Sequence, residues 1–361
     1  MRKKIKDLCM VSDCLHVTPK YEDEGYPMVR VSEIGNNILN LGNALKVSKE
    51  NYAIYTSNYK PQNGDIILAR VGAFLGQFSL VDTDEEFCIG QNTTIIHPNK
   101  MSKYIYYNLI SDLTQKRLQR EAAGSAYKSV GVDTIKNFEI DIPDERSAEL
   151  IGSILYKIDR KIQINNGIND NLQQMAYAKY MHMFFSKKPN AKLEDIITEN
   201  PKSTIQVGDA KNTNGKIPFF TSGDAILRWP DTLVTGRNCY LNTGGNAGVK
   251  FYVGNAAYST DTWCISARDN LSDYLYMLLE SIKPELNQKF FQGTGLKHLQ
   301  KPLLKDRSIY IPELSELKEF NDDIMPWLTM ISDNIRESEE LVSLRDWLLP
   351  MLMNGQATIS D

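Results

Sequence analysis

Residues 104–111, "YIYYNLIS", and the following "AAGSAYKSVGVDTIKNFEIDIP" up to Pro143 return in the second half of the chain. There they read "YLYMLLES" at residues 274–281 and "FQGTGLKHLQKPLLKDRSIYIP" up to Pro312. Ile140 maps onto Ile309 and Gly124 onto Gly293 with one offset of 169 residues, so two landmarks share a register. A repeat of this size describes two similar modules, each able to grip a separate part of one target.

The repeat extends in both directions. "KIKDL" at residues 4–8 resembles "KLEDI" at 192–196, and "GYPMVRVS" at 25–32 loosely resembles "KIPFFTS" at 216–222. Offsets there drift to about 190, as surface loops of unequal length allow. Beyond each Ile-Pro lies a long stretch of helical periodicity. Ile162 and Ile335, Ile168 and Leu341, and Met175 and Leu348 are all 173 residues apart. Each unit is therefore a globular module followed by a long helix.

Apolar residues of the first stretch, including Ile158, Ile162, Ile168 and Leu172, recur at helical spacing, with Asn165 midway between Ile162 and Ile168, and form one stripe. A helix over residues 147–184 would be on the order of 55 Å long. Asp144 stands where a cap is useful. The second stretch, from Leu317 to Leu349, carries Phe320, Ile324, Leu328, Ile331, Ile335, Leu341, Leu344 and Leu348. Two such helices bury their stripes most economically against each other, and an antiparallel pairing would carry the modules to opposite ends. Asn165 and Ser338 interrupt the stripes at equivalent positions, where a polar residue either fixes register or lies on a solvated edge.

With 361 residues and 42% hydrophobic residues the chain can fill two or three ordinary cores. No apolar run is long enough to cross a bilayer and the start has no apolar signal core, so a cytoplasmic location is expected. Five cysteines, odd in number and scattered, fit reduced thiols. Cys9 and Cys14 near His16 lack a second ligand pair, and no metal site is expected. The net charge of −4 is uneven: residues 313–361 hold 11 acidic and 3 basic residues, whereas 186–312 hold 12 acidic and 16 basic. The acidic helix suits a protein partner and the basic module suits phosphate.

The catalytic signatures of a DNA modifier are missing. There is no Pro-Pro for an adenine methyltransferase motif, and "TGGNAG" at residues 243–248 lacks the Gly-Lys-Ser/Thr of a phosphate-binding loop and reads as a turn. "PELSELK" spaces Glu313, Glu316 and Lys318 too closely to place a nuclease set across two strands. No catalytic residue is assigned.

In its order of motifs the chain resembles the DNA specificity subunits of Type I restriction-modification systems. The resemblance covers essentially the whole chain. It rests on the two openings, on "NGDIILARVGAFLGQFSLV" and "GQNTTIIHP", on the turns "AGSAYKSV" and "QGTGLKHL", and on "ILYKIDRKIQINNGINDNLQQMA" and "LVSLRDWLLPMLMNGQ". It implies an α+β fold with a pseudo-two-fold internal repeat. The expected order is a first mixed α/β target-recognition domain (residues 1–143), a central spacer helix (144–185), a second target-recognition domain (186–312) and a C-terminal spacer helix (313–361). The two helices would pair antiparallel in coiled-coil fashion. One departure is "TGRNCYLNTGGNAGVKFYV", where the second module carries Asn242 to Gly245 beyond the simpler Gly-rich strand pair of the first.

The resemblance further implies double-stranded DNA as ligand, with each domain reading half of a bipartite, asymmetric site. The partners implied are two adenine methyltransferase subunits and the restriction and translocation subunits. S-adenosylmethionine and ATP are expected only on those partners, and no cofactor on this chain. A Type IIB-like specificity subunit and a protein-interaction scaffold are the alternatives. Base edges and phosphates are read by basic and amide side chains on exposed loops and by glycine turns. The candidates are Arg70, Gln91, Asn92, Gly124, Ser125, Tyr127 and Lys128 in the first module, and Arg237, Asn238, Gly293, Thr294, Lys297 and His298 in the second. Lys128 and Lys297 stand at equivalent positions just beyond the glycine turn. Trp229 either stacks on the ligand or anchors a core.

Overall fold

Antiparallel pairing of Arg2–Lys4 with Glu139–Asp141 closes the first module, setting Lys3 opposite Ile140. The second module closes in the same way, with Ala191 opposite Ile309. A short 3-10 turn follows each opening, Ile5–Asp7 and Leu193–Asp195, and in each the turn's aspartate accepts the backbone N–H of Lys4 or Lys192. The computed structural model describes residues 1–122 and 129–357. The described chain divides into two units, residues 1–163 with 340–361 and residues 164–339.

In the first unit a five-stranded sheet runs in the order Cys9–Asp13, Thr93–Pro98, Ile66–Ala69, Phe78–Leu80, Asn37–Ile38. Successive residues of a strand face opposite sides. Ile66, Leu68 and Ile96 accordingly join the cluster under the Ser102–Ile110 helix, while Ile67, Ala69 and Ile95 join a second cluster with Val29 and Phe87. Both faces are covered, which is why "IILA" shows no polar alternation. A smaller sheet sets Tyr26–Val29 between antiparallel Leu45–Val47 and parallel Cys88–Ile89.

The second unit repeats this plan. Its sheet runs Ile197–Glu199, Thr262–Ala267, Arg237–Asn242, Val249–Val253, under the Ser272–Ser281 helix. Its smaller sheet sets Ile217–Phe220 between antiparallel Leu227–Trp229 and parallel Ala257–Tyr258. Trp229 packs on Phe219, with ring centroids 5.8 Å apart, and so serves as an anchor of this sheet.

The two long helices are Glu145–Phe184 and Leu314–Met353, each of 40 residues. Asp144 caps the first, its carboxylate accepting the Ser147 N–H at 2.9 Å. The pairing is antiparallel, since partner numbers fall as residue numbers rise. In the second unit Asn165 reaches Ser338 (3.2 Å), Asn334 reaches Asn169 (2.8 Å) and Lys179 reaches Asp323 (2.5 Å). In the first unit Arg345 pairs with Asp159 at 2.8 Å.

The apolar seam is concentrated at one end of the second unit's pair, where Ala176, Tyr180 and Phe184 share a core with Leu317, Phe320, Ile324 and Leu328. Of the expected seam residues, Ile158 is buried. Ile331, Ile335 and Leu348 pack on module cores, Ile162, Leu172 and Leu341 are half-buried, and Ile168 is exposed. Between them the pair is held by Asn165, Asn169, Asn334 and Ser338. The chain is thus an α+β protein with an internal repeat of two mixed modules and two long antiparallel helices.

Candidate nucleic-acid interface

The described turn among the candidates is that of Gly293, one of the landmarks of the repeat. In the second unit Phe291–Gln292 and His298–Leu299 form a hairpin, with Phe291 opposite Leu299 and Gln292 opposite His298. Gly293 opens it at φ +151°, and a Cβ there would lie 2.6 Å from the Leu296 carbonyl oxygen, so only glycine fits. Thr294, Leu296, Lys297 and His298 are exposed on it.

The hairpin leans on "TGGNAG". The Gly245 N–H donates to the Lys297 carbonyl at 2.9 Å, the Leu299 N–H donates to the Thr243 carbonyl at 3.0 Å, and Gly244 bridges His298. Thr243 is tied in turn by its hydroxyl to the Asp261 carbonyl at 2.8 Å. The two glycine-rich segments, far apart in sequence, thus form one platform. Beside it opens a cavity of about 360 Å³ lined by Asn200, Lys202, Thr243, Trp263, His298 and Lys301 among others. The Lys301 amine stands 4.9 Å over the Trp263 ring, and burial holds it below the usual lysine range. Burial pushes the nearby Glu199 carboxyl up, but hydrogen bonds from Lys305 and the Trp263 ring N–H outweigh this and leave it low.

The first unit builds the same junction with different side chains. The Val130 N–H donates to the Arg70 carbonyl at 3.1 Å and Val71 bridges Ser129, so Arg70 is the counterpart of Thr243 and Ser129 of His298. The Arg70 side chain is 12% exposed and points inward, with its guanidinium 2.8 Å from Asp13. Asp13, Cys14 and His16 bring three potential metal-ligand atoms within 4.8 Å of one another. The Arg70 guanidinium stands on Asp13 and 3.9 Å from the Cys14 sulfur, a fixed cation at that cluster.

Gln91 and Asn92 lie half-buried at the start of Thr93–Pro98. Asn92 has φ +65°, and its carbonyl accepts the Arg70 N–H at 2.9 Å. Gly124, Ser125, Tyr127 and Lys128 lie outside the described residues. Two expected contacts are withdrawn from the surface by the fold. Asn238 is 2% exposed and bonds Asn200 and the Thr235 carbonyl. Arg237 grips Asp273 through two bonds of 2.6 and 2.5 Å and also bonds Thr329 and the Met325 carbonyl. The sequence places both among side chains on exposed loops, whereas both belong to the paired strand Arg237–Asn242.

Lys202, Trp263 and Lys301, which line the cavity, are not among the candidates from sequence. The spacing of Lys297, Lys301 and Lys305 by fours in "LKHLQKPLLK" was the available signal.

A family model described as the Type I restriction modification DNA specificity domain matches this chain twice, over residues 1–174 and 187–336. The chain belongs to that family. Among proteins of the family, it is 21% identical to the Type I restriction enzyme HindI specificity subunit of Haemophilus influenzae. That match covers 56% of this chain but only 46% of the length of the relative. It is also 21% identical to the Type I restriction enzyme MjaIX specificity subunit of Methanocaldococcus jannaschii, over 72% of this chain and 70% of that one.

The crystal structure of a Type I restriction-modification S subunit from M. genitalium superposes with a TM-score of 0.68. The alignment covers 98% of this chain and 95% of that one at 13% identity, a likeness of fold. Among the described residues, no helix of this specificity-domain protein is long and apolar enough to cross a membrane.

Proposed function

We propose that this chain is the DNA-reading subunit of a Type I restriction-modification complex, in which each module recognises one half of a bipartite, asymmetric site. The two long helices set the distance between half-sites and dock two adenine methyltransferase subunits. Those partners, with the restriction and translocation subunits, bring S-adenosylmethionine and ATP. This chain supplies no catalytic group or cofactor, and the assembly acts in the cytoplasm.

One observation carries the reading. The junction that seats the exposed Gly293 hairpin, Leu299 on Thr243 and His298 on Gly244, recurs in register in the first unit as Val130 on Arg70 and Ser129 on Val71. Exposed loops on a paired scaffold are where groove contacts form. In the second module Thr294, Lys297 and His298 are the proposed contacts, with Gly293 shaping the hairpin. In the first, the proposed contacts are Gln91, Asn92, Gly124, Ser125, Tyr127 and Lys128, with the Arg70 side chain held inward on Asp13. Arg237 and Asn238 are left out because internal partners hold them.

The test is to co-express the chain with the methyltransferase encoded beside it and map modified adenines across the host genome. A split motif that appears only with this chain, and that changes in one half when one module is exchanged, is the expected result. An intact complex that modifies nothing, on a chain that binds DNA without salt dependence, would favour the protein scaffold.

A further inference from the structure

The two modules share a backbone register but differ in the charge placed beneath the glycine platform. Counting from the paired strands, Asp13 corresponds to Pro201, Cys14 to Lys202, Arg70 to Thr243 and Val132 to Lys301. Val132 and Lys301 each begin a short helix, Val132–Asn137 and Lys301–Lys305. In the first unit the position is filled from within, because the Arg70 guanidinium lies against Asp13 and Cys14. The second unit has Thr243 in place of that arginine, and there the cavity opens.

The cavity is cationic. Lys202 is exposed and Lys301 half-buried, and among the described residues neither has an ion-pair partner within 4 Å. Glu199 is the carboxylate in the lining, and it is already engaged by Lys305 and by the Trp263 ring N–H at 2.8 Å. The Lys301 ammonium, resting on an indole face in a partly desolvated cavity, feels Glu199 only at a distance and shares it with Lys305, so the two lysines of the lining outnumber its one carboxylate and leave room for a further anion. Thr243, His298 and Leu299 border the same space, so any anion that enters lies beside the hairpin.

We infer that this cavity of the second module is a seat for one backbone phosphate of the bound DNA, held by Lys301 and Lys202 where the first module carries its own Arg70–Asp13 pair. The inference rests on the DNA-reading role proposed above and names the phosphate contact of that site. The first module needs no phosphate at the equivalent point, so the two half-sites are gripped by different charge patterns. The contact positions the duplex without reading sequence.

The experiment measures affinity of the full chain against salt concentration, for a duplex carrying the mapped motif and for one without it. Lys202→Ala changes an exposed side chain, and Lys301→Ala removes the amine over Trp263. Each is expected to weaken binding to both duplexes by a similar factor and to reduce the slope of log affinity against log salt by about 0.9. A methylphosphonate scan of the motif duplex should find one position that weakens the wild-type chain and leaves Lys301→Ala unaffected. Unchanged slopes in both variants, with normal wild-type binding, would overturn the phosphate seat alone. A wild-type chain that binds neither duplex would sink the DNA reading and the seat with it.

Discussion

The two modules hold their exit helices by different means at matching positions. In the second, Arg237 clamps Asp273 on the short helix and reaches Thr329 and the Met325 carbonyl on the second long helix. In the first, the counterpart of Asp273 is Lys103, whose amine sits 3.6 Å over the ring of Tyr156 on the first long helix. Tyr156 in turn donates to Asp82 at 2.7 Å. Tyr104 and Tyr274 fix the correspondence, since each donates its hydroxyl to the carbonyl at the end of its module, that of Asp141 or Tyr310. A buried ion pair does in one module what a cation on an aromatic face does in the other. The repeat therefore preserves where a side chain must bridge module to helix while leaving the chemistry of the bridge free to change.

Breaking these clamps should reveal the largest difference between the modules. Asp273 is 1% exposed, and removing its partner leaves a carboxylate buried without compensation. Such a loss costs about 3–5 kcal/mol. Arg237→Ala is thus expected to lower unfolding stability in the second unit by that amount, whereas Lys103→Ala costs about 0.5–2 kcal/mol in the first. Hydrogen exchange resolved by segment checks both variants. Equal losses would mean that the two bridges are energetically equivalent despite their chemistry.

A smaller effect is expected where the second unit's helix pair is polar. Asn165 is fully buried and donates to Glu337 at 2.8 Å and Ser338 at 3.2 Å, while its own carbonyl oxygen finds no partner. Asn165→Ala should cost about 1 kcal/mol. Replacing Asn165 and Ser338 together by leucine removes both polar groups and is expected to be neutral or stabilising. Register then loses its polar marker. Thermal unfolding reports the first change, and a spin-label distance across residues 169 and 334 reports whether a single register survives.

Much of this was legible in the sequence because it depends on periodicity and on repeated landmarks. The 169-residue offset fixed by Gly124 and Ile140 is the offset that relates the bridges at Ser129 and His298. The openings at Lys4 and Lys192 share one strand register. Helix limits were read to within a few residues because each helix begins just after an Ile-Pro. Orientation at a strand end was not legible. Arg70, Arg237 and Asn238 all look like surface polar residues in a glycine-rich context, yet each finds an acid or an amide that lies distant in sequence. The cavity under "TGGNAG" was equally hidden, because it depends on what Thr243 lacks relative to Arg70.

The smallest expected difference lies at the helix entrances, where the modules reverse the direction of their caps. In the first, the Asp144 carboxylate at the cap accepts from Ser147. In the second, Glu316 stands at the position of Ser147 and reaches back to accept the Glu313 N–H at 3.1 Å. It also bonds Lys187 at 2.6 Å and the Tyr310 hydroxyl at 2.5 Å. Hydrogen bonds from Lys187, then Tyr310, then the Glu313 N–H hold its carboxyl down at about 2, against an ordinary value of 4.5. A folded-state pKa below the unfolded value contributes stability that is fully present above pH 4.5 and is lost as pH falls toward about 2. Glu316→Gln should therefore lower the melting temperature slightly at neutral pH and flatten its fall across that acid window. The comparison is read from melting curves at stepped pH. Parallel curves for variant and wild type would show that acid sensitivity arises elsewhere, and that the reversed cap is no more acid-labile than the Asp144 cap of the first module.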